Sequence, residues 1–263
     1  MAIESLNAVD NSSMMSSLNK TNQSITSGSQ INSAADNAAG SAIVSSLSSK
    51  INAQDIGIQN ANTGGNLLQT ADGVTGQITE QLQRLSELSI QSMNGTYNSS
   101  QRAALNAEFQ QGLKSIADFA DSTSFNGMKL LNGETASVDI ALGSENSASL
   151  TLPDLTLDGL GLTGADISNP TNASAFQTQL QDALGIVSES RAQFGAQQNG
   201  LTASAQNLAN QNINAQSTRS QINDTNYASA VMDQSRLQVL NQASLAMQAQ
   251  NNQNYSNVLS LLS

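Results

Sequence analysis

Few residues of this chain belong to the types that carry out chemistry in proteins. The 263 residues include no cysteine and no histidine, which excludes disulfide bonds, thiolate sites, imidazole metal ligands and histidine-based catalytic triads. Carboxylates remain, and Asp139 with Glu145 could serve an enzyme as an acid–base pair. Such a pair has to be clustered in a pocket, so this enzyme hypothesis depends on the elements that would hold the two residues.

Residues 159–164, with the sequence GLGLTG, match the glycine pattern of dinucleotide-binding sites. That fingerprint needs a buried strand before it and a helix that begins at the last glycine, where the pyrophosphate binds. Here residues 165–168 lead only to Asn169 and Pro170. A glycine-rich connector is therefore the favoured interpretation, and the sequence predicts no cofactor.

A strict heptad row of apolar residues marks the longest predicted element. The row comprises Leu180, Val187, Phe194, Leu201, Leu208, Ala215 and Ile222. A spacing of seven puts these residues on one side of a helix of about 65 Å that packs on partner helices. Because the residues between them are mostly small or polar, the helix needs partners to bury the row, and a rod-shaped molecule is predicted.

The composition favours long helices with thin apolar stripes over a domain with a dense core. Hydrophobic residues make up 38% of the chain and aromatic residues 3%. The net charge of −11 repels phosphate, which argues against nucleic acid and anionic membranes as partners. Residues 1–10 lack the pattern of a cleaved signal peptide, and no stretch has the length and apolarity of a membrane span. We therefore expect a protein that either stays in the cytoplasm or is exported by a route that needs neither a cleaved signal peptide nor a membrane span.

Helical periodicity covers most of the remaining chain. It predicts a weak helix up to about residue 28, a second over residues 43–88 and a last helix after residue 224. A further helix is predicted to start near Asn98, with Gln101 as its capping-box partner. Glu80 and Arg84 lie four residues apart on the second helix, which favours a surface ion pair.

The period changes from helical to two in the middle of the chain. Alternation over residues 138–142 and 148–152 predicts a β-hairpin at about 137–152. The sequence FNG at residues 125–127 predicts a tight turn, and Pro170 fits the first position of the long helix. The economical arrangement pairs the N- and C-terminal helices along one rod and places the hairpin at its far tip.

Five local sequences, in this order, resemble those of bacterial flagellins. They are residues 27–40 (SGSQINSAADNAAG), 81–88 (QLQRLSEL), 125–131 (FNGMKLL), 222–228 (INDTNYA) and 257–262 (NVLSLL). The resemblance implies a structural subunit that polymerises into the flagellar filament for motility, with no catalytic, cofactor-binding or metal-binding residue. A hook–filament junction protein or another flagellin-like associated protein is the alternative, because such proteins share the terminal helices.

The resemblance also implies the fold class and the domains. It implies a mainly α fold of long antiparallel coiled-coil helices forming a rod, with one small β-hairpin. Residues 1–40 and 223–263 would form an inner terminal coiled-coil domain that is disordered in the monomer, and residues 41–222 a rod domain. The short stretch between the hairpin and Pro170 leaves no room for bulky outer domains, so a short form is expected.

The expected partners and location follow from the same resemblance. Subunits of that family leave the cell unfolded through type III export without a cleaved signal, so an extracellular filament is expected. The implied partners are copies of the chain itself, an export chaperone and the filament cap protein. The residues expected at the assembly interface are Leu6, Leu18, Leu237, Leu240, Leu245, Met247, Val258, Leu259, Leu261, Leu262, Arg84 and Leu88.

Recognition by the animal Toll-like receptor for flagellin is a further implication. Arg84 and Leu88 match positions that this receptor often uses. Ser86 stands where an arginine is common, and Ser115 stands where a glutamate is common. The resemblance therefore implies weak recognition.

Overall fold

A computed structural model describes residues 2–143 and 146–262 of the chain, without the side chains of residues 2–10, 255 and 258–262. The described residues form five α-helices and two small antiparallel strand pairs, which confirms the predicted mainly α class. The elements are α1 (Ala2–Ser27), α2 (Ala38–Met93), α3 (Ser99–Ser122), β1 (Ser124–Phe125), β2 (Met128–Lys129), β3 (Ser137–Ala141), β4 (Ser147–Thr151), α4 (Pro170–Asn223) and α5 (Tyr227–Leu262). None of the helices in these described ranges has the length and apolarity needed to span a bilayer.

The predicted start of α3 is confirmed in atomic detail. The Asn98 side chain accepts a hydrogen bond from the Gln101 N–H at 2.9 Å, and the Gln101 side chain accepts one from the Asn98 N–H at 3.0 Å. Arg102 donates hydrogen bonds to the carbonyl oxygens of Ser92 and Asn94 at the end of α2. These bonds satisfy backbone groups that helix ends leave free, and they fix the turn between the two helices.

The chain divides into two compact units. The terminal unit contains residues 1–51 and 213–263, and the central unit contains residues 52–212. The sequence analysis divided the chain after residues 40 and 222, whereas these compact units divide after residues 51 and 212. The first turns of α2 and the last turns of α4 therefore group with the terminal helices.

The heptad row predicted on α4 forms part of the core. Leu180 and Val187 are fully buried, Phe194 is 2% exposed, and Leu201 and Leu208 are also buried. Residues of α2 and α3 join them in one cluster, including Leu67, Leu68, Ile78, Leu82, Leu85, Phe109, Leu113 and Ile116. The apolar seam of the central unit thus consists of three long helices packed by their stripes.

The β3–β4 hairpin is confirmed, but its predicted position at the far tip is wrong. Val138 pairs with Leu150 across the hairpin. The Ala141 carbonyl oxygen at the end of β3 accepts a hydrogen bond from the Asn60 side chain on α2 at 2.9 Å. The hairpin therefore lies beside residues 57–64 of α2, far from the α2–α3 turn. The reason is that α3 runs back along α2, so the chain after α3 returns toward the start of that helix.

The turns between these elements follow the predicted chemistry. Asn126 and Gly127 connect β1 to β2 with φ angles of 50° and 81°, as a two-residue hairpin turn requires. The GLGLTG segment folds into turns, with Leu160 and Leu162 buried in the core of the central unit. This segment is an anchored connector, as the sequence analysis favoured.

The terminal helices pair with each other in antiparallel fashion, as predicted. The Gln234 amide of α5 donates to the Asn22 side chain of α1 at 2.7 Å, and the Asn241 amide donates to the Asn11 side chain at 3.1 Å. The loops beside them are joined by backbone hydrogen bonds, with the Thr225 N–H donating to the Gly28 carbonyl oxygen at 2.9 Å. The described part of this pairing therefore includes polar contacts at several points along the two helices.

An ion pair fastens α1 to the loop that follows it. Lys20 Nζ lies 2.8 Å from Asp36 Oδ1. The hydrogen bond from Lys20, supported by backbone N–H groups of Asn32 and Ser33, lowers the pKa of the Asp36 carboxyl to about 2. The carboxylate thus stays ionised over the whole neutral range and holds the loop in place.

Candidate assembly surfaces

Helix α5 turns a largely polar side toward α1. Gln234 and Asn241, which bond to α1, are half-buried, and Ser244 one turn further on is half-buried as well. Leu237 lies on this side and is half-buried, and Leu245 lies on the same side in helical angle but is 49% exposed. The contact between the two helices therefore buries little apolar surface of α5.

Four other apolar residues of α5 are exposed to solvent. Met232 is 66% exposed, Val239 65%, Leu240 46% and Met247 75%. At about 100° per residue Met232 and Val239 lie opposite Gln234 and Asn241, whereas Met247 borders the groove between the two helices. An isolated subunit thus carries an uncovered apolar face on a helix whose partnered side is polar, and such exposed faces mark interaction sites.

The groove between α1 and α5 has a volume of about 690 Å³. Asn11 and Met14 line it from α1, and Leu237, Met247 and Asn251 line it from α5. Its walls mix amide groups with apolar side chains, and none of the described side chains that line it is ionisable. This lining suits the packing of another helix better than the binding of a charged small molecule.

The residues predicted for the assembly interface fall into three groups. Leu18 and Leu237 are half-buried between the terminal helices, whereas Leu240, Leu245 and Met247 are exposed. The side chains of the remaining terminal residues lie outside the described part of the chain; these are Leu6, Val258, Leu259, Leu261 and Leu262. Sequence reasoning missed Met232 and Val239, although their spacing of seven was a signal for them.

Arg84 and Leu88, predicted as contact residues on α2, differ in exposure. Leu88 is 1% exposed and belongs to the core of the central unit, so its side chain supports the fold. Arg84 is half exposed and binds Glu108 on α3 at 2.7 Å and Glu87 at 3.0 Å. The hydrogen bonds that Glu108 accepts from Arg84, together with the one that Glu87 accepts, raise the pKa of the Arg84 guanidinium.

The predicted ion pair between Glu80 and Arg84 is wrong. The guanidinium of Arg84 turns to α3, where Glu108 accepts hydrogen bonds from its Nε and Nη2. A carboxylate on the neighbouring helix can accept hydrogen bonds from both of these nitrogens at once. A carboxylate four residues away on the same helix does not offer this geometry. Sequence reasoning missed Glu108 because only the packing of α3 on α2 brings it to Arg84.

The carboxylates considered for an enzyme form no site in the described residues. Asp139 is exposed on β3, and Glu145 lies outside the described residues. Within residues 2–143 and 146–262, no three acidic side chains come together as a group that could hold a metal ion. The candidate functional surfaces of the described residues are therefore the exposed faces of the helices.

Models of known families match both ends of the chain. The bacterial flagellin N-terminal helical region matches residues 2–136, and the bacterial flagellin C-terminal helical region matches residues 175–262. The chain belongs to the bacterial flagellin family. It is a short form of flagellin without a large outer domain, and it is a structural protein and not an enzyme.

Relatives of the chain align along almost its whole length. It is 38% identical to a flagellin of Halalkalibacterium halodurans over 92% of this chain and 91% of the relative. It is 32% identical to a flagellar filament 30.7 kDa core protein of Treponema maltophilum over 92% of this chain and 90% of the relative. The chain is a structural subunit of the flagellar filament, a homopolymer that lies outside the cell.

Solved structures agree with this assignment. The crystal structure of Bacillus cereus flagellin aligns with a TM-score of 0.52 and 27% identity, over 57% of this chain and 88% of that one. A putative flagellar hook-associated protein from Vibrio parahaemolyticus aligns with a TM-score of 0.61 over 72% of this chain and 100% of that one. Its identity of 12% shows a shared fold only.

Proposed function

We propose that the exposed face of α5 is the main surface through which terminal units of neighbouring copies bind one another in the filament. The observation that carries this proposal is the orientation of α5, whose amide-bearing side faces α1 while Met232, Val239 and Met247 are exposed. Burying such side chains stabilises an association by about 1.5–3 kcal/mol each. Further apolar residues follow in the sequence at 258–262.

Substitution of Val239→Asp together with Met247→Asp tests this proposal. The two charges would have to be buried without partners, so we expect no filaments by negative-stain electron microscopy and sedimentation. The control variant, Gln238→Asp with Gln242→Asp, adds the same charges to exposed polar positions of α5 that lie off the apolar face, and it should still polymerise.

Circular dichroism of both double variants checks that the helices remain folded. Normal filament yield from Val239→Asp with Met247→Asp would contradict the assignment of this face. Loss of filaments in both double variants to the same degree would contradict it as well, because charge alone would then explain the effect.

The order of the terminal unit is proposed to depend on assembly. Ile51 and Ala215 are the hydrophobic residues that are buried in the described part of the terminal unit. So little burial does not offset the conformational entropy of long helices. A terminal unit that orders only against other copies would also suit export as an unfolded chain, without a cleaved signal, through the type III apparatus.

Further partners are proposed from the family resemblance. An export chaperone would cover the apolar side of α5 and residues 258–262 before assembly, and the cap protein would receive subunits at the filament end. The animal Toll-like receptor would meet Arg84, whose guanidinium is already bound to Glu87 and Glu108. Weak recognition is expected, because these ion pairs compete with any receptor group for the arginine.

A junction or flagellin-like associated protein remains the second candidate. Its support is the fold shared with the hook-associated protein of Vibrio parahaemolyticus. Purified filament subunits elongate into long polymers by themselves, whereas a junction protein joins or caps. Long filaments from the purified chain alone would exclude the junction role.

A further inference from the structure

Methionine is the side chain of this protein that peroxides attack most readily. The sequence contains seven methionines but no cysteine, tryptophan or histidine. A peroxide converts the methionine thioether into a sulfoxide, and exposure to solvent favours this reaction. The positions of the methionines in the fold therefore decide where a peroxide acts.

The described methionines differ in their exposure. On α5, Met247 is 75% exposed and Met232 is 66% exposed, and on α1 Met15 is 46% exposed. In the central unit Met93 and Met128 are half-buried and pack against the core. A peroxide in solution therefore reaches the two sulfur atoms of α5 more easily than those of the central unit.

Met232 and Met247 occupy positions where an added oxygen atom changes the surface of α5. Met232 lies with exposed Val239 on the side opposite Gln234 and Asn241, and Met247 borders the groove between α1 and α5. A thioether is flexible and polarisable, so it adapts to irregular apolar contacts. A sulfoxide is polar, and its burial against an apolar neighbour without a hydrogen-bond partner is unfavourable.

We propose that Met232 and Met247 are sites of reversible sulfoxidation, and that their oxidation by a peroxide keeps the subunit from assembling. This regulation rests on the proposed role of the α5 face in assembly. A sulfur lone pair attacks one oxygen of hydrogen peroxide, so that an S–O bond forms and the O–O bond breaks. The other oxygen leaves as hydroxide and takes the proton of the new S–OH group, which releases water. Sulfur loses two electrons, and the peroxide gains them.

Peroxide treatment of the unassembled subunit tests this proposal. Hydrogen peroxide is added to purified wild-type subunits and removed with catalase, and filaments are then grown and quantified by sedimentation and negative-stain electron microscopy. Peptide mass spectrometry measures the sulfoxide fraction at each methionine. We expect Met232 and Met247 to oxidise before Met93 and Met128, and filament yield to fall about tenfold once both α5 sites are oxidised.

Leucine variants separate the α5 methionines from the others. Met232→Leu with Met247→Leu keeps apolar side chains of similar volume without sulfur, so this variant should form filaments and keep its yield after peroxide treatment. The matched control, Met93→Leu with Met128→Leu, removes as many sulfur atoms from the central unit and should lose yield as the wild type does. Met15 remains in both variants, so protection of the first variant alone attributes the effect to α5.

Enzymatic reduction tests whether the effect is reversible. Methionine sulfoxide reductases specific for each of the two epimers, supplied with a thiol reductant, convert the sulfoxides back to thioethers. The sequence has no cysteine, so the thiol has no disulfide of the chain to break. Filament yield should recover, and circular dichroism should give the same helix content for oxidised and untreated subunits. A yield that stays low after mass spectrometry shows complete reduction would overturn the proposal.

The outcomes separate regulation by oxidation from assembly itself. Full filament yield from subunits oxidised at both Met232 and Met247 would overturn the regulation only, and so would equal peroxide sensitivity of the two leucine variants. In finished filaments, neighbouring copies should slow oxidation of the two α5 methionines about tenfold, because exposure favours the reaction. Equal oxidation rates in filaments and free subunits would instead contradict the proposed burial of the α5 face.

Discussion

Glycine occupies two kinds of position along α2. A Cβ on Gly57 would lie 2.7 Å from the Leu142 carbonyl carbon, so this glycine allows the hairpin to reach the helix. Gly73 lies in the same helix, yet a Cβ there would meet no atom within 4 Å. Inside a helix, glycine lowers stability by about 1 kcal/mol relative to alanine. At Gly57 the close packing of the hairpin offsets this loss, whereas no neighbouring group offsets it at Gly73.

Alanine substitutions at these two glycines should therefore act in opposite directions. Gly73→Ala is expected to raise the free energy of unfolding of the unassembled subunit by about 0.5–1 kcal/mol. Gly57→Ala is expected to lower it by about 1–3 kcal/mol, because the backbone of the hairpin has to move. Urea unfolding followed by circular dichroism measures both, and a shift of the same sign in both variants would contradict this account.

The seam of α4 changes its chemistry along its length. From Leu180 to Leu208 the buried side chains are apolar except for Ser190, whose hydroxyl donates to the Ile186 carbonyl oxygen. Beyond them Asn212 is buried and donates to Asp55 Oδ1 at 2.9 Å, and buried Gln54 of α2 donates to Gln211 at 3.2 Å. Hydrogen-bonded polar side chains in an apolar seam favour one register of the two helices at some loss of stability. The stabilisation that comes from side-chain packing is therefore concentrated in the apolar stretch.

Truncation of the largest side chain in that stretch should destabilise the central unit strongly. Phe194 is 2% exposed, and Phe194→Ala is expected to lower the free energy of unfolding by about 3–5 kcal/mol. Its neighbour Gln193 is exposed, so Gln193→Ala should change it by less than about 0.5 kcal/mol. Chemical denaturation of the unassembled variants provides the comparison, and an equal loss in both would refute the assignment of Phe194 to the core.

The two units of the molecule differ in how much apolar surface they bury. The core cluster draws on α2, α3, the β3–β4 hairpin, the connector and α4, all within residues 52–212. The described residues of the terminal unit contribute few buried hydrophobic side chains, and their helices meet through amide pairs. The central unit therefore has the means to fold alone, whereas the order of the terminal unit is proposed to depend on what it binds.

Limited proteolysis of the whole chain before and after polymerisation tests this difference. In the unassembled subunit, protease should remove both terminal segments and leave a stable fragment close to residues 52–212. In filaments the same protease dose should leave the chain intact, because neighbours bury the terminal helices. Intact-mass spectrometry identifies the fragments, and a full-length unassembled chain that resists cleavage would disprove the dependence on assembly.

Several features of this chain followed from the amino-acid sequence because local or periodic interactions decide them. The capping box of Asn98 involves residues three apart, and the turn at Asn126 depends on two neighbouring residues. The burial of the row from Leu180 to Leu208 follows from its spacing of seven. The family motifs could likewise be recognised from short runs of residues.

Other features were decided by tertiary structure alone. The partner of Arg84 is Glu108, which lies 24 residues away and becomes its neighbour only when α3 packs on α2. The side of α5 that faces α1, and the hairpin that meets α2 at Gly57, also depend on how whole elements pack. A sequence pattern states which residues share a face of a helix, but the direction in which that face points is set by long-range contacts that no local period encodes.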